Sequence, residues 1–544
     1  MSEYGGYMKK YRTFGLMIDL SRNAVMTVES LKNYLTMLSK MGYNMVMLYT
    51  EDTYEIEDEP YFGYLRGRYS KKELKEVDAF ADSVGIELVP CIQTLAHLTT
   101  FIRWGKVPAE DTDCMLADED RTYELIDKMF ASCSECFRSR NIHMGMDEAW
   151  CIGRRAHLNK YGYEEPILIL KRHLNRINEI AKKYGYEKPM IWSDMFFRPW
   201  NNGRYAGGSI GKKEVPKDVI ASVPENIQLV YWAYEDNTDY GYDAMLYNHK
   251  QFNNPIWYAG GIYGWIGRTP LNNYSIGETK KALDACEKYK IKDILMTLWG
   301  NGGNECSRYT HLAALYHIIQ YAKGNRDIEK IKRGFKRIVG ADYDDFAALD
   351  LPNQPGSPEL GKHNNNPSYY MLYSDYFVCH LDYTVKPGAG DDYKQYASIL
   401  YEAAKRTRKY KSIFVSEALT CDILYHKYEL GVKTRRAYQI GDKEALLSLA
   451  KESYTAIEKL IPKLIVSARE QWYSESKPYG FDLIERKLGG LLARTTSCKQ
   501  RLIDYVNGKI DSIPELAEEI LPYGKKEESI VTLGDDIYST SART

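Results

Sequence analysis

The sequence predicts an α/β protein, a (β/α)₈ TIM barrel followed by a mostly α-helical C-terminal domain. Eight short apolar runs lie between residues 14 and 299, and amphipathic stretches separate them. Such alternation is typical of strand–helix units, and a span of about 300 residues suits a barrel whose usual size is about 250 residues plus insertions. Beyond residue 325 the patterns become long and helical. We therefore expect a barrel at residues 1–325 and a helical domain at residues 326–544.

Each predicted strand is a run of six or seven residues rich in Val, Ile, Leu, Met and aromatic side chains. A doubly wound sheet is the competing fold, but no Gly-rich phosphate-binding turn follows the first run. The runs are 14–20 (FGLMIDL), 44–49 (NMVMLY), 86–92 (IELVPCI), 141–147 (NIHMGMD), 188–194 (KPMIWSD), 227–233 (IQLVYWA), 255–260 (PIWYAG) and 293–299 (DILMTLW).

Between the strands, apolar residues recur at three- and four-residue spacing, as they do along one face of a helix. Barrel helices are expected near 26–41, 70–84, 118–138, 165–184, 241–252, 276–288 and 311–323, with a further one after Val215. In the second domain, helices are expected at 393–410, 413–440, 443–472 and 481–507. This domain could support the barrel, wall a cleft or form a homodimer.

The composition excludes several classes of protein. With 44% hydrophobic and 27% charged residues the chain is typical of a globular protein, and 73 basic against 74 acidic residues give no bias toward nucleic acid or an anionic membrane. Residues 1–10 carry no signal-peptide pattern, and no apolar run approaches the roughly 18 residues of a membrane span. Ten scattered cysteines suit buried thiols in a reducing compartment. These features predict a cytoplasmic protein.

Acids and aromatic residues end nearly every predicted strand. In a (β/α)₈ barrel the working residues gather at the C-terminal ends of the strands, so these positions are the candidates for a site. In strand order they are Asp19; Tyr49, Glu51 and Asp52; Gln93 and His97; Asp147 and Glu148; Trp192 and Asp194; Tyr231 and Trp232; Trp257 and Tyr258; and Trp299, Asn301 and Glu305.

The adjacent acids Asp147 and Glu148 stand where the fourth predicted strand ends. In an alternating strand Asp147 shares a face with His143, and Glu148 reaches the same site if the chain turns there. Two carboxylates at such a turn suit acid/base chemistry. The alternative is that Asp147 caps the next helix and Glu148 is solvated.

Eight of the nine tryptophans lie between Trp104 and Trp299, so the indoles follow the predicted site. A flat apolar ring beside hydrogen-bonding acids is what a pyranose needs, because its C–H face stacks while its hydroxyls require directed partners. Each tryptophan could equally be core packing.

Several of these residues resemble the motifs of one family. Residues 142–148 resemble the His-x-Gly-x-Asp-Glu signature of the family 20 glycoside hydrolases, the β-N-acetylhexosaminidases. Further motifs follow in the family's order: Asp19-Leu20-Ser21-Arg22 resembles its Asp-x-Ser-Arg, His97 its third-strand histidine, Trp192 its fifth-strand tryptophan, Trp257-Tyr258 its Trp-Tyr and Trp299-Gly300 its Trp-Gly.

The chain also departs from the family. Phe14 precedes Gly15 where many members carry an arginine that binds sugar hydroxyls, and Asn301 stands where an acid usually follows Trp-Gly. Residues 47–49 replace a His-Trp-His region, and there is no room for the N-terminal auxiliary domain. A divergent branch is therefore expected, in which hydroxyl recognition has been rebuilt more than catalysis.

The resemblance implies an exo-acting, retaining enzyme that removes terminal β-linked GlcNAc or GalNAc from oligosaccharides or glycoconjugates without a metal or cofactor. The mechanism would be substrate-assisted, through an oxazolinium intermediate. Asp147 would orient the acetamido N–H, Tyr258 would bind the acetamido oxygen, and Glu148 would protonate the leaving oxygen, so the pKa of Glu148 should be raised and that of Asp147 held down. The predicted substrate-binding residues are Asp19, His97, Trp192, Asp194, Trp232, Trp257, Trp299 and Glu305.

Three other functions remain open at this stage. A metal-dependent sugar isomerase or aldolase could use His97, Asp147, Glu148 and Asp194 as ligands. A conventional retaining glycosidase could use Asp194 or Glu305 as its nucleophile. A sugar-binding protein could have kept the barrel and lost the chemistry.

Overall fold

The computed structural model describes residues 10–205, 210–235, 240–356, 364–521 and 524. The N-terminal stretch 1–9, used above to predict location, lies outside them. The chain divides into two compact units. The first comprises Met1–Ile262, Ile276–Trp299 and Tyr316–Asp327, and the second comprises Tyr263–Ser275, Gly300–Leu315 and Ile328–Thr544.

Seven parallel strands form one curled sheet in the first unit. Its strand order is β3-β2-β1-β7-β6-β5-β4, so sequential neighbours pair throughout except where β1 meets β7. Seven of the predicted strands are confirmed to within two residues at each end. The strands are β1 Thr13–Asp19, β2 Met45–Tyr49, β3 Glu87–Cys91, β4 Met190–Trp192, β5 Gln228–Trp232, β6 Ile256–Gly261 and β7 Asp293–Leu298.

The fourth predicted strand, 141–147, is reduced to a bridge that closes the sheet into a barrel. His143 pairs in parallel with Cys91 of β3 and with Met190 of β4, and backbone hydrogen bonds of 2.8 to 3.1 Å join this segment to both edges. The extended run then stops, because Gly145 and Met146 both have φ of +74°. The predicted (β/α)₈ barrel is therefore present, and the prediction of a full fourth strand was wrong.

Helices follow the strands of the barrel as predicted. Thr27 caps the first of them by accepting from the backbone of Ser30, and Ser70 forms a capping box with Glu73 at the start of the second. These helices are α1 Val28–Met41, α2 Lys71–Ser83, α3 Thr99–Ile102, α4 Asp120–Cys136, α5 Ala156–Tyr161, α6 Pro166–Lys183, α7 Lys217–Ile220, α8 Gly241–His249, α9 Asn272–Lys288 and α10 Leu312–Ala322.

The described secondary structure of the chain after α10 is helical, in agreement with the predicted helical region. The last helices are α11 Ile328–Val339, α12 Tyr343–Ala347, α13 Pro367–Tyr373, α14 Asp392–Arg406, α15 Lys411–Lys427, α16 Leu430–Gln439, α17 Lys443–Leu449, α18 Thr455–Glu475, α19 Phe481–Val506 and α20 Pro514–Ala517. Across the described ranges, every helix is too short or too polar to cross a membrane.

The barrel interior is filled by side chains from alternate positions of the strands. Trp192 is completely buried there, and Trp299 packs at its edge. This interior supports the residues that follow the strand ends. Its buried members are Met17, Met45, Met47, Tyr49, Val89, Cys91, Met190, Trp192, Val230, Trp257, Ala259 and Leu295.

Candidate active site

Asp147 is held in a fixed position at the end of the bridging segment. Its Oδ1 accepts a 2.7 Å hydrogen bond from the amide of Gln93, and its Oδ2 lies 3.2 Å from Nε2 of His97. The carbonyl of Gln93 in turn accepts from the backbone N–H of Met146 at 3.2 Å. Gln93 therefore anchors both the carboxylate and the turn that carries it.

Glu148 shares His97 with Asp147, although the two acids are adjacent in sequence. Its Oε2 lies 3.7 Å from the histidine Nε2, and its side chain is 34% exposed. The chain turns at Glu148, whose φ is +50°. This turn brings both carboxylates to the same histidine. Positive φ is uncommon outside glycine, and it recurs nearby at Glu51, His97 and Met146. Strain of this kind is concentrated at functional sites.

The pKa values of the two acids are shifted in opposite directions, as expected. Burial raises the pKa of Glu148, and the negative charges of Asp147 and Asp194 raise it further. Burial alone would also raise the pKa of Asp147, but the charge and hydrogen bond of His97, with the amide of Gln93, lower it below its usual range. Burial lowers the pKa of His97, yet Asp147 and Glu51 bring it up to about 10. At neutral pH His97 and Asp147 thus form an ion pair.

Asp194 connects Glu148 to the aromatic side of the site. Its Oδ2 accepts from the backbone N–H of Glu148 at 3.1 Å and from Nε of Arg198 at 3.0 Å, and its Oδ1 accepts from the indole of Trp232 at 3.4 Å. The same Arg198 approaches Oε1 of Glu148 at 3.7 Å. Asp194 thereby holds the turn that carries Glu148.

Three of the predicted tryptophans are linked into one wall. The ring centroids of Trp192 and Trp299 are 6.0 Å apart, and Tyr49 meets Trp299 edge-on at 4.8 Å. The hydroxyl of Tyr234 accepts a 2.6 Å hydrogen bond from the indole of Trp299, and its ring stacks on Trp232 at 5.4 Å. Burial raises the pKa of Tyr234, with the charges of Asp147 and Glu148 adding to it. Tyr234 therefore belongs to the site, although the sequence did not single it out.

Trp257 and Tyr258 point to opposite sides of the sheet; only Trp257 faces the barrel interior, where it shares a core cluster with Trp192, and the predicted roles of both residues in the site stay predictions. β6 runs on to Gly261, so neither residue lies at its end. Trp257 points into the barrel core and donates to Gln228 at 2.9 Å. Tyr258 faces the opposite side of the sheet, as successive strand residues must, where its ring contacts Tyr242 of α8 and its hydroxyl donates to a backbone carbonyl.

A second group of charged residues follows β1 and β2. Oδ2 of Asp19 and Oε1 of Glu51 each lie 3.7 Å from the guanidinium of Arg22, and Tyr49 donates to the same Glu51 oxygen at 3.2 Å. Burial raises the pKa of Glu51 to about 7, although Arg22 opposes the shift. The hydroxyl of Tyr49 also accepts from Gln93 at 2.9 Å, so this group connects directly to the anchor of Asp147.

Glu305, a predicted substrate-binding residue, belongs to the second unit. Its carboxylate lies 3.2 Å from Arg268 and 2.9 Å from Lys487, and it accepts a 2.5 Å hydrogen bond from Tyr373. All four groups are members of that unit. The carboxylate is thus engaged by protein partners.

The described part of the chain contains no cluster of three or more His, Cys, Asp or Glu side chains arranged to hold a metal ion. All ten cysteines are free thiols, and nine of them are buried.

Sequence reasoning missed Tyr234 and Arg198. Tyr234 is two residues after Trp232, so in an extended chain both would face the same side. Arg198 is four residues after Asp194, a spacing at which side chains meet on a helical turn. The spacing in the sequence therefore gave a weak indication for both residues.

Two family models match the chain. The catalytic domain of glycosyl hydrolase family 20 matches residues 10–252, and the glycoside hydrolase 20C C-terminal domain matches residues 344–532. Hexosaminidase D of Bos taurus is 21% identical over 51% of this chain and 80% of its own length, and that of Homo sapiens is 22% identical over 56% of this chain and 61% of its own. The Vibrio harveyi GH20 exo-β-N-acetylglucosaminidase structure has a TM-score of 0.46 at 16% identity, over 62% of this chain and 58% of that one.

Proposed function

Because the chain belongs to glycoside hydrolase family 20, we propose that it is an exo-acting, retaining β-N-acetylhexosaminidase. Its substrates would be oligosaccharides or glycoconjugates that end in β-linked GlcNAc or GalNAc. The observation that carries the proposal is the pair Asp147 and Glu148, which share His97 while their pKa values move apart. One acid that keeps its proton beside one that stays ionised is what substrate-assisted hydrolysis requires.

In the first step the acetamido oxygen of the substrate attacks C1 and the glycosidic C1–O bond breaks. Glu148 gives its proton to the departing oxygen, while the Asp147 carboxylate accepts a hydrogen bond from the acetamido N–H and balances the positive oxazolinium ring. In the second step Glu148 takes a proton from water, the water oxygen attacks C1 and the ring reopens. Configuration at C1 is retained because two displacements occur.

We assign the contact to the acetamido oxygen to Tyr234 instead of Tyr258. The hydroxyl of Tyr234 hydrogen-bonds to the indole of Trp299, and its ring stacks on Trp232. The charges of Asp147 and Glu148 also act on this phenol. A tyrosine O–H aimed at the attacking oxygen would hold it in line with C1.

Arg22 and Glu51 are our candidates for the sugar hydroxyls. Phe14 stands where many members of the family carry an arginine, and Arg22, just after β1, supplies a guanidinium beside Asp19 and Glu51. Its distances of 3.7 Å to Asp19 and Glu51 exceed a direct hydrogen bond, so a hydroxyl could bridge either pair.

The bovine and human relatives named hexosaminidase D support the substrate class. The ten free thiols support a reducing, cytoplasmic location.

The test is hydrolysis of aryl β-glycosides by wild type and by Glu148→Gln and Asp147→Asn. The aryl β-GlcNAc should be cleaved and the matched aryl β-glucoside should not, because glucose lacks the internal nucleophile. Loss of general acid catalysis should lower kcat of Glu148→Gln on natural linkages by about 10² to 10⁴. The control is Glu124→Gln on the exposed face of α4. Equal cleavage of the glucoside, or near-normal activity of Glu148→Gln on an oligosaccharide that ends in β-linked GlcNAc, would refute the proposal.

A further inference from the structure

The proposed function does not say which leaving group the enzyme accepts, that is, what is attached to the glycosidic oxygen. Glu148 would protonate the glycosidic oxygen, so the leaving group must begin at the carboxyl of Glu148 and extend outward from it. That carboxyl is partly exposed, which gives the leaving group a way out. Residues on the exposed side of Glu148 are therefore the ones that can select it.

Trp150 stands at this exit. It is two residues beyond Glu148, and its backbone N–H donates to the Glu148 carbonyl at 2.7 Å, so the tight turn at the acid also sets the place of the indole. The side chain is 54% exposed, which makes it the most exposed tryptophan among the described residues. Its place beside the acid, more than its exposure, makes this indole a candidate contact for a ligand, because a flat aromatic ring offers a stacking surface.

Arg198 fixes one face of this indole. The guanidinium carbon lies 4.1 Å from the centre of the Trp150 ring, while one of its nitrogens lies 3.7 Å from Glu148 Oε1. Asp194 holds the same guanidinium at 3.0 Å, and Tyr205 and Trp232 lie within 5.8 Å of it. Arg198 thus spans the gap between the acid and the indole, and the ring cannot turn freely.

We infer that Trp150 and Arg198 form the leaving-group subsite and that its ligand is a second sugar ring. This inference rests on the proposed function. The guanidinium lies over one face of the indole while about half of the side chain stays exposed, so a ligand with one flat C–H face suits the exposed part. A pyranose has such a face, and its hydroxyls can accept from the N–H groups of Arg198 at the edge. The enzyme would therefore favour glycans over simple alkyl glycosides.

The experiment compares kcat/KM for methyl β-GlcNAc with kcat/KM for the disaccharide GlcNAc-β-1,4-GlcNAc. Trp150→Ala should lower the value for the disaccharide about tenfold and that for the methyl glycoside by no more than about twofold, because only the disaccharide loses stacking. Trp150→Phe should recover most of the loss, since it restores a flat ring. Tyr247→Ala is the matched control: this ring on α8 is 42% exposed and also lies beneath a cation, Lys212, at 5.4 Å.

Two results would overturn the inference. An equal loss on both substrates would mean that Trp150 supports the turn at Glu148 and does not contact the leaving group. An unchanged value for the disaccharide would mean that the indole has no part in binding it. If wild type cleaves neither substrate, the proposed function itself fails, and this outcome is distinct from the other two because it appears before any substitution.

Discussion

The charge of His97 acts on the pKa values of both acids. Its imidazolium is a major influence that lowers the pKa of Asp147, and it also lowers that of Glu148. In the proposed mechanism Asp147 is ionised and Glu148 is protonated, so the first pKa would set the acidic limb of the pH profile and the second the basic limb. His97→Gln removes the cation and raises both pKa values. Both limbs of kcat/KM on an aryl β-GlcNAc should therefore move to higher pH.

A half-buried histidine on α15, His426, provides the control for this profile. His426→Gln should leave both limbs in place. An acidic limb that stays fixed in His97→Gln would show that the pKa of Asp147 does not depend on the imidazolium, or that Asp147 does not set this limb.

The two candidate tyrosines can be distinguished by removing single hydroxyls. Tyr234→Phe should lower kcat on an aryl β-GlcNAc about a hundredfold, the usual effect of losing one aligned donor at a reacting oxygen. Tyr258→Phe should keep kcat within about twofold and lose about 1 kcal/mol of stability, because its hydroxyl donates to the partly buried carbonyl of Ala233. The reverse order of kcat values would restore the original prediction for Tyr258.

Sequence alone could bring together the acids, His97 and the strand-end tryptophans, because each directly follows an apolar run. It could not choose between Tyr258 and Tyr234. That choice depends on which face of β6 points into the barrel, since a shift of the pairing register by one residue reverses the face of every side chain. Arg198 was out of reach for another reason: its position depends on the turn after β4 and on the distant Trp150, neither of which has a local pattern.

Among the elements, the seven strands were predictable because both faces of a barrel strand are buried and each reads as a continuous apolar run. The fourth run also looks like a strand, yet two consecutive residues with positive φ end it after His143. The pattern of side chains does not reveal such a turn, except for the presence of Gly145. The same break turns the chain at Asp147 and allows two adjacent acids to face one histidine.

The turn that ends the fourth run therefore depends on Gly145. Its φ is +74°, and an added Cβ would collide with the side-chain amide of Gln93. Gly145→Ala should cost about 3 kcal/mol of unfolding free energy in urea, from backbone strain and the displaced glutamine. Activity should fall as well, because Gln93 anchors Asp147.

The matched control is Gly277→Ala in α9, where no described atom lies within 4 Å of an added Cβ. This change should stabilise the protein by about 0.5 to 1 kcal/mol, since alanine is the better helix former. If Gly145→Ala is as stable and active as Gly277→Ala, the turn does not need the left-handed conformation.

At the scale of the whole molecule, the segments that directly follow β6 and β7 belong to the second unit, although both strands belong to the first. Residues 263–275 and 300–315 follow barrel strands in sequence but belong to the second unit. A boundary at residues 325/326 was predicted where the helical pattern lengthens. Local periodicity could not assign these two segments, because their partners lie far along the chain: Arg268 donates to Ser416, and Ser307 donates to Glu475.

An ion pair between Glu305 and Arg268 joins segments 300–315 and 263–275. Glu305 also pairs with Lys487 from α19, and it accepts from Tyr373. A second acid beside Arg268, Glu417, is buried so fully that its pKa rises to about 8. At neutral pH Glu417 is therefore largely protonated, and Glu305 is the carboxylate that balances the buried arginine.

Glu305→Gln distinguishes this structural role from the substrate contact predicted from sequence. Removing one partner of a buried pair leaves the other charge uncompensated, so unfolding free energy at pH 7 should fall by about 3 kcal/mol while KM stays unchanged. Glu485→Gln, which breaks an exposed pair with Arg469, should change stability by less than about 0.5 kcal/mol. The loss in Glu305→Gln should shrink above pH 8, because Glu417 then ionises and supplies a negative charge to Arg268. A raised KM with unchanged stability would instead return Glu305 to the substrate.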